Sequence, residues 1–584
     1  MGATHMQTAE AVLAGVESYQ QGKPIPFALP AFPCKSPNTV DKVLGVLPDK
    51  AEEVSLLFLQ GLCNNIKQVY SPGAELTIVS DGIVYNDLFE VADTTVWTYG
   101  ERLRKMATEL GCTSIRFARL SAMLDGPLPA EAMDYHDAET YAGAAPIVRE
   151  TLLKTYAEPG YDVSAHIARD EAVNATYRGY LRYVPGDLHV PAQQDLSDRD
   201  DAKKAFKRRV SKVAKQMISR GKCYAACVKA AFPDAIRLSI HAGNSATKLP
   251  IAVLPHTGDR AITPWHSVMT CRLDGSLVPM SHKEAAARDD LELVRAAGGQ
   301  AWCYREKSPL YDALTAAGAT IEHLHPCGVR IEFPHGTPFT TLDIRAVRAL
   351  SDWNSPVLVR GLEGGTDLEA FLAKGREMGP IMKWTFGELL EVKEVPADSP
   401  GFNSSLSSEA MPFHYDGVFK VVDGVSTPPH YQMFVAVTPS APGIGHTLFA
   451  SSPRLFEHVR LSMDELRAHT WRGETVSFAN AKLGGLPLVV PHPATGAPCF
   501  RYHEDWSRAR TRFQEILVRI EGVDEKTDAA MRAEIDRVLY DWRVCLRLSW
   551  QRGDVLVNDN ILTLHTREEY VSKVGRELWR LHID

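Results

Sequence analysis

The pattern of apolar residues changes partway along the chain, and this change constrains the fold more than any other feature. Up to about residue 310, strand-like and helix-like segments alternate. Glu75–Ser80 (ELTIVS) reads as a short buried strand, Trp97–Leu110 as a helix with Leu103, Met106 and Leu110 on one side, and Ser114–Leu120 as a strand. Ala202–Arg220 has a helical stripe of Phe206, Val210, Val213 and Met217, and Ala235–His241 is strand-like again. This alternation argues an α/β domain around a largely parallel sheet. After about residue 325 the runs become short: Val357–Val359, Tyr431–Val437, Val544–Trp550 and Val555–Val557. Turn-rich segments such as Pro439–Gly445 and Pro491–Pro498 separate them. That texture predicts a double-stranded β-helix, or jelly roll, with helices such as Thr527–Tyr540 packed outside. The boundary is expected near Ala317–Cys327, giving domains over 1–320 and 325–584.

A chain of 584 residues has room for two to four domains. Its 45% hydrophobic and 23% charged residues are ordinary for a soluble globular protein. A formal net charge of -8 gives no global pull towards nucleic acid or anionic membrane, so neither is expected as a partner. Apolar runs such as Leu486–Val490 are too short to span a bilayer. The N-terminus lacks the order of a signal peptide, and Met1–Met6 reads as an expression scar ahead of a native start at Met6. The ten cysteines have no zinc or disulfide spacing and read as reduced thiols of a cytoplasmic enzyme. Cys223 and Cys227 share a helix face, where buried core thiols are the plainer reading.

Ala410–Phe419 reads AMPFHYDGVF. His414 and Asp416 are two apart, so on a strand both side chains point to one face. Much later comes Gly553-Asp554-Val-Leu-Val-Asn-Asp-Asn-Ile-Leu-Thr-Leu-His565: a tight turn, a buried strand and a histidine. Two imidazoles and a carboxylate on one side of a metal leave the opposite positions open. That suits Fe(II), which must bind a co-substrate and O2 together. Arg576 and Arg580 follow on GRELWRL, and share a face whether the segment is helical or extended. A guanidinium there can grip a carboxylate through two parallel hydrogen bonds.

These residues give the region from about 325 to 584 a resemblance to the taurine dioxygenase family of Fe(II)/2-oxoglutarate enzymes. The matching pieces are Val359-Arg360-Gly361, His414-Tyr415-Asp416, Gly445-His446-Thr447, Gly553-Asp554, Asp559-Asn560, His565 and Arg576-Glu-Leu-Trp-Arg580. The resemblance implies that His414, Asp416 and His565 hold iron. It implies that Arg576, supported by Thr447, binds the distal carboxylate of 2-oxoglutarate, and that Arg580 meets an anionic substrate. Ile561 stands where that family often has an arginine after Asp-Asn. The implied outcome is hydroxylation or desaturation, sometimes with loss of a substrate carboxylate.

In the first half, Ala235–Pro250 reads AIRLSIHAGNSATKLP. A strand there buries Ile236, Leu238 and Ile240 and projects Arg237, Ser239 and His241 together. Asn244 and Lys248 follow beyond its C-terminal end, the edge where open α/β sheets bind ligands. Thr263-Pro-Trp-His266 adds a second histidine, and Ser80-Asp81-Gly82 a carboxylate at the end of another strand. Between Ala202 and Lys222 lie nine basic residues and no acidic one, read as the solvated face of an amphipathic helix.

Those segments, with Asn86-Asp87, Ile115-Arg116-Phe117 and Tyr177-Arg178-Gly179-Tyr180, resemble the isocyanide synthase family, which includes the dityrosine spore-wall enzymes. The match spans about 50–310, with Ala242-Gly243 replacing a His-Pro pairing. It implies a Rossmann-like domain that condenses an amino acid's α-amine with the ketone of ribulose 5-phosphate and leaves one sugar carbon on nitrogen as an isonitrile. Repeated proton transfers near neutral pH suit histidine. His241 and His266 are the expected acid/base groups, Lys248 and Arg237 the cations for an anionic group or the ketone, and Asp81 the group orienting the amine. Ser239 and Asn244 complete the expected substrate contacts. The combined expectation is a bifunctional enzyme using Fe(II), 2-oxoglutarate and O2. An N-formyl-forming enzyme with a hydroxylating oxygenase, or a non-enzymatic oxygenase-fold binding protein, are the alternatives.

Overall fold

The computed structural model describes residues 19–584 except 125–135, 189–199, 241–247, 255–261, 297, 396–403, 424, 442, 476–481, 514 and 571–574, and without the side chains of residues 200 and 404. The chain divides into two compact units: Met1–Cys271 with Leu277–Glu306, and Arg272–Ser276 with Lys307–Asp584. The expected mixed α/β structure with several sheets is met, and the first unit holds a parallel sheet.

That sheet holds β1 (Ile25–Pro30), β2 (Ala74–Val79), β3 (Ile115–Ala118), β4 (Ile236–Ser239) and β5 (Leu249–Pro250). Their order is β3-β2-β1-β4-β5, with every pairing parallel. The chain steps outward from β1 to β3, then returns to β4 on the other side of β1. Such a reversal leaves a crevice at the C-terminal strand ends, because neighbouring loops diverge there. Parallel neighbours need helical crossovers. These are α1 (Lys50–Val69), α2 (Asp93–Glu109), α3 (Ala138–Tyr156), α4 (Glu171–Tyr183) and α5 (Asp200–Ala231). Asp49 starts α1 by accepting from Ala51 N, while Glu52 reaches back to the cap's own N–H, so two orphan donors are satisfied. Leu56, Leu59, Leu76, Ile78, Leu103 and Leu238 form one core. Each such side chain contributes about 1.5–3 kcal/mol by burial. Helix α5 runs about ten residues beyond the sequence reading. Its stripe of Val210, Val213 and Met217 is buried, and its basic face is tied down by Arg209–Glu90, Arg220–Asp87 and Lys222–Glu158. A second, four-stranded sheet comprises β6 (Val268–Cys271), β7 (Leu277–Met280), β8 (Leu291–Arg295) and β9 (Ala301–Glu306) in the order β7-β6-β9-β8.

The second unit places two sheets around a shared core. The larger contains β10 (Thr320–His323), β11 (Val329–Pro338), β12 (Val357–Glu363), β13 (Leu389–Lys393), β14 (Tyr431–Thr438), β17 (Val555–Asp559) and β19 (Glu577–Ile583), ordered β10-β11-β12-β17-β14-β19-β13. The smaller is β15 (Thr447–Ser451) between β16 (Cys545–Leu548) and β18 (Thr563–Arg567). Leu358, Phe434, Leu556 and Leu578 from the first meet Phe449, Leu546 and Leu548 from the second. Helix α6 (Ile344–Ser351) covers the outer face of the large sheet, and α7 (Glu525–Leu539) packs beside Phe413, Tyr415 and Leu448. The segment carrying Arg576 and Arg580 is extended rather than helical. All ten cysteines are unpaired, nine of them buried. Among the described residues no helix is long and apolar enough to cross a membrane.

Candidate active sites

In the first unit the C-terminal strand ends open into a cavity of about 1180 Å3. Asp81, Arg237, Ser239, Lys248 and His266, all named from the sequence, line it. His241 and Asn244 lie outside the described residues. Arg237 projects from β4 opposite Ala28, where Nη1 donates to Ala225 O at 3.1 Å and Nε is buried without a partner. Lys248 stands just before β5. Burial, then the charge of Arg237, lower its ammonium below the usual lysine value. Two half-buried cations side by side, with no carboxylate on either among the described residues, suit an anion. Asp81 also lacks a partner on Oδ1, and burial pushes its carboxyl up to about 6.

Around His266 the structure assembles groups that the sequence reading missed. Its Nε2 lies 2.7 Å from the Tyr183 hydroxyl and 3.5 Å from Asp187 Oδ2, and its Nδ1 is 2.9 Å from Thr263 Oγ1. Asp187 also pairs with Lys42 at 2.8 Å and accepts from Ser36. Tyr183 ends α4, three residues beyond the Tyr177–Tyr180 motif, and Asp187 follows it by about one turn. Only their distance from His266 in sequence concealed the grouping. The turn holding His266 is pinned from below: Lys35 Nζ donates to Pro264 O at 2.9 Å while paired with Asp49 and Glu52 at 2.9 and 2.8 Å. Other motif residues serve structure. Asn86 and Asp93 hold Arg149 of α3, Asp87 holds Arg220 of α5, and Arg116 pairs with Glu75 on the surface.

In the second unit His414 and His565 form an isolated antiparallel bridge, His414 N to His565 O at 3.1 Å and the reverse at 2.8 Å. Their ligand atoms and that of Asp416 all lie within 4.8 Å of one another. The tautomers suit a metal. His414 Nδ1 is 2.8 Å from Pro412 O and donates there, which leaves the Nε2 lone pair for the site. Gln432 Nε2 lies 3.2 Å from His565 Nε2 and also donates to Asp416 Oδ2, with its own Oε1 fixed by Asn558 at 2.9 Å. Asp416 Oδ2 further accepts from Arg580 Nη1 at 2.7 Å and His582 Nε2 at 2.8 Å. Burial alone would raise this carboxyl, but Arg580 and His582 hold it well below the usual range. Burial, then His414, keeps His565 well below the usual histidine value, so it is neutral and able to ligate. Asn560 fastens the loop from behind: it accepts from Asp416 N at 3.0 Å and donates to Asp416 O and Pro429 O.

Arg576 is 3% exposed, lies over the Tyr570 ring at 5.7 Å, and among the described residues donates to one neutral acceptor, Thr447 Oγ1, at 3.2 Å, which Trp550 Nε1 also reaches at 2.8 Å. Its Nε is buried without a partner. A guanidinium this deep without an acid fits the distal carboxylate of 2-oxoglutarate, and burial already lowers it to about 9. Arg580, expected to face the substrate, donates from Nη1 to Asp416, and its Nε is buried without a partner among the described residues. Gln432 and His582 were invisible in the sequence because β14 and β19 meet the metal loop only through tertiary pairing.

A second histidine–aspartate cluster, Asp352, His430, His492 and Asp559, has the spacing of a metal site. Its hydrogen bonds argue otherwise. His492 Nδ1 accepts from Ala494 N and Thr495 N, so Nε2 carries the proton and donates to Asp559 Oδ2 at 2.8 Å. Asp559 Oδ1 caps Ile561 N and Leu562 N. The cluster anchors the residue next to Asn560.

Residues 16–294 match the family model of pyoverdine/dityrosine biosynthesis proteins, and residues 320–582 that of the taurine catabolism dioxygenase TauD, TfdA family. The chain is 40% identical to isocyanide synthase xanB of Aspergillus fumigatus, over 97% of this chain and 76% of that protein. It is 35% identical to isocyanide synthase A of the same fungus, over 97% and 92%. The crystal structure of PvcA from Pseudomonas aeruginosa is similar over 52% of this chain and 93% of that one, with 32% identity and a TM-score of 0.45.

Proposed function

The chain belongs to the isocyanide synthases that carry a TauD-family dioxygenase, and from that premise we propose that it converts an amino acid and ribulose 5-phosphate to an isonitrile and then oxidises that product. It is an enzyme, a fused isonitrile synthase and oxygenase, and its oxygenase half uses Fe(II) and 2-oxoglutarate. We read residues 1–320 as a Rossmann-like synthase and 325–584 as a jelly-roll oxygenase.

The observation that carries the first reaction is the pair Arg237 and Lys248, cations that have no carboxylate partner among the described residues and line the same cavity as Asp81 and His266. A sugar phosphate satisfies both charges. Asp81, ionised above about pH 6, takes a proton from the substrate ammonium so that the amine can attack the ketone and expel water. His266, backed by Tyr183 and Asp187, moves the later protons. Carbon–carbon cleavage then leaves one sugar carbon on nitrogen.

In the second unit His414, Asp416 and His565 would hold the iron, and Arg576 with Thr447 the distal carboxylate of 2-oxoglutarate. Bound together with O2, that pair supplies the power to remove hydrogen from an unactivated C–H bond. Gln432 and His582 orient Asp416, and the Phe449 ring lies 6.4 Å from the His565 ring. With the product's carboxylate retained, attack on the β-carbon gives either an alkene with loss of CO2 or an alcohol. The test is mass spectrometry of products from purified protein, ribulose 5-phosphate and each amino acid, with and without Fe(II) and 2-oxoglutarate. An isonitrile is expected without iron and an oxidised isonitrile with it. Lys248→Ala should lower isonitrile formation about a hundredfold or more, and wild-type rates in that variant would sink the site assignment.

A further inference from the structure

Arg580 Nη1 donates to Asp416 and Arg576 sits deep beside Thr447, and a third cation, Lys420, follows the same metal-ligand loop. Directly after Asp416 the chain turns back on itself. Gly417 has φ +80°, a Cβ there would lie 2.7 Å from Pro429 Cδ, and Lys420 N closes the turn on Gly417 O at 2.9 Å. The turn brings Lys420 over the Trp384 ring, its Nζ 5.5 Å from the ring centroid. Trp384 in turn packs on His582 at 5.2 Å, and His582 donates to Asp416. Among the described residues Lys420 has no carboxylate partner. Trp384 Nε1 is buried and has no hydrogen-bond acceptor. A buried N–H left unmade is costly, and one anion placed here would serve both donors. Phe386, stacked on Trp384 at 5.9 Å and exposed, extends an apolar shelf beside them.

We propose that the Lys420 ammonium and the Trp384 indole N–H, rather than Arg580, receive the carboxylate of the oxygenase substrate. This rests on the function proposed above and sharpens it: the oxygenase takes an isonitrile that still carries its carboxylate. Such a grip fixes the α-carbon, so the neighbouring β-carbon is presented to the iron.

The test uses full-length enzyme with two probes, the α-isocyano acid collected from the Asp416→Ala variant and the methyl ester made from it. Lys420→Met should raise KM for the acid about 10- to 100-fold, the loss of one charge-assisted contact. Turnover of the ester should not change, and neither should the anaerobic absorption of the Fe(II)–2-oxoglutarate complex. Lys420→Arg should restore most of the acid's KM, and Trp384→Phe should raise it only a few-fold. An unchanged KM in Lys420→Met, or equal loss of acid and ester, would overturn the proposal. Wild-type enzyme that leaves the acid untouched would overturn both this proposal and the function it rests on.

Discussion

Asp81 shows how one residue trades stability for chemistry. Its carboxyl sits at about 6, above the unfolded value near 3.8, so ionising it in the folded protein costs free energy. The cost is absent below about pH 4, grows between pH 4 and 6, and is fully present at neutral pH. Asp81→Asn should therefore stabilise the first unit above pH 6 by roughly 1–3 kcal/mol and do little below pH 4. The same variant should lose isonitrile formation, and the wild-type rate should fall as pH drops through about 6. Thermal melts and product assays across that range check both. A loss of stability in the variant at pH 7 would show that the carboxylate is held by something other than its cavity. At this scale the sequence was informative where residues cluster along the chain: Asp81, Arg237, Lys248, His414 and Asp416 all stand at strand ends or in short motifs. It was silent on Tyr183, Asp187, Gln432 and His582, which reach their sites from helices and strands distant in sequence. It also could not show that Arg580 would donate to Asp416.

Among elements, β12 shows what the quoted Val359-Arg360-Gly361 motif does. Arg360 holds Asp554 through two hydrogen bonds of 3.0 and 3.1 Å, which joins β12 to the turn leading into β17, the strand ending in Asp559. The next residue, Gly361, has φ +82°, and a Cβ there would lie 2.1 Å from Phe333 O, at the bulge where β11 shifts register. Gly361→Ala thus combines an unfavourable backbone with a clash against main chain that cannot swing aside. It should destabilise the second unit by about 3 kcal/mol or more. Gly364→Ala, at φ +87° with nothing within 4 Å, should cost only about 1 kcal/mol. Denaturant melts of the two variants separate strain from clash, and equal losses would refute the packing argument. Periodicity gave β2, β3, β4, β12, β14, β16 and β17 and helices α2, α5 and α7 to within a few residues, except for the C-terminal end of α5, and it missed the central strand β1. It left 575–581 open between helix and strand because a four-residue spacing fits both, and only pairing with β14 and β13 decides it.

For the whole molecule, each unit has its own hydrophobic cores. The change in apolar texture made this division legible, since an alternating α/β pattern and a run of short strands bury their faces in different ways. Lys248→Ala should keep oxygenase activity, and Asp416→Ala should keep isonitrile formation. An equimolar mixture of the two should again yield the oxidised product, read by mass spectrometry. A mixture that accumulates isonitrile without oxidising it would show that the intermediate does not pass through solution. The fastening of Asp416 by Asn560 adds a further consequence. Because backbone and side-chain contacts from Asn560 hold the HxD loop from behind, the shape of that loop does not rest on the metal alone. Iron scarcity would then leave a folded, working synthase beside an idle oxygenase. Iron supply, rather than refolding, would decide which of two natural products leaves the chain.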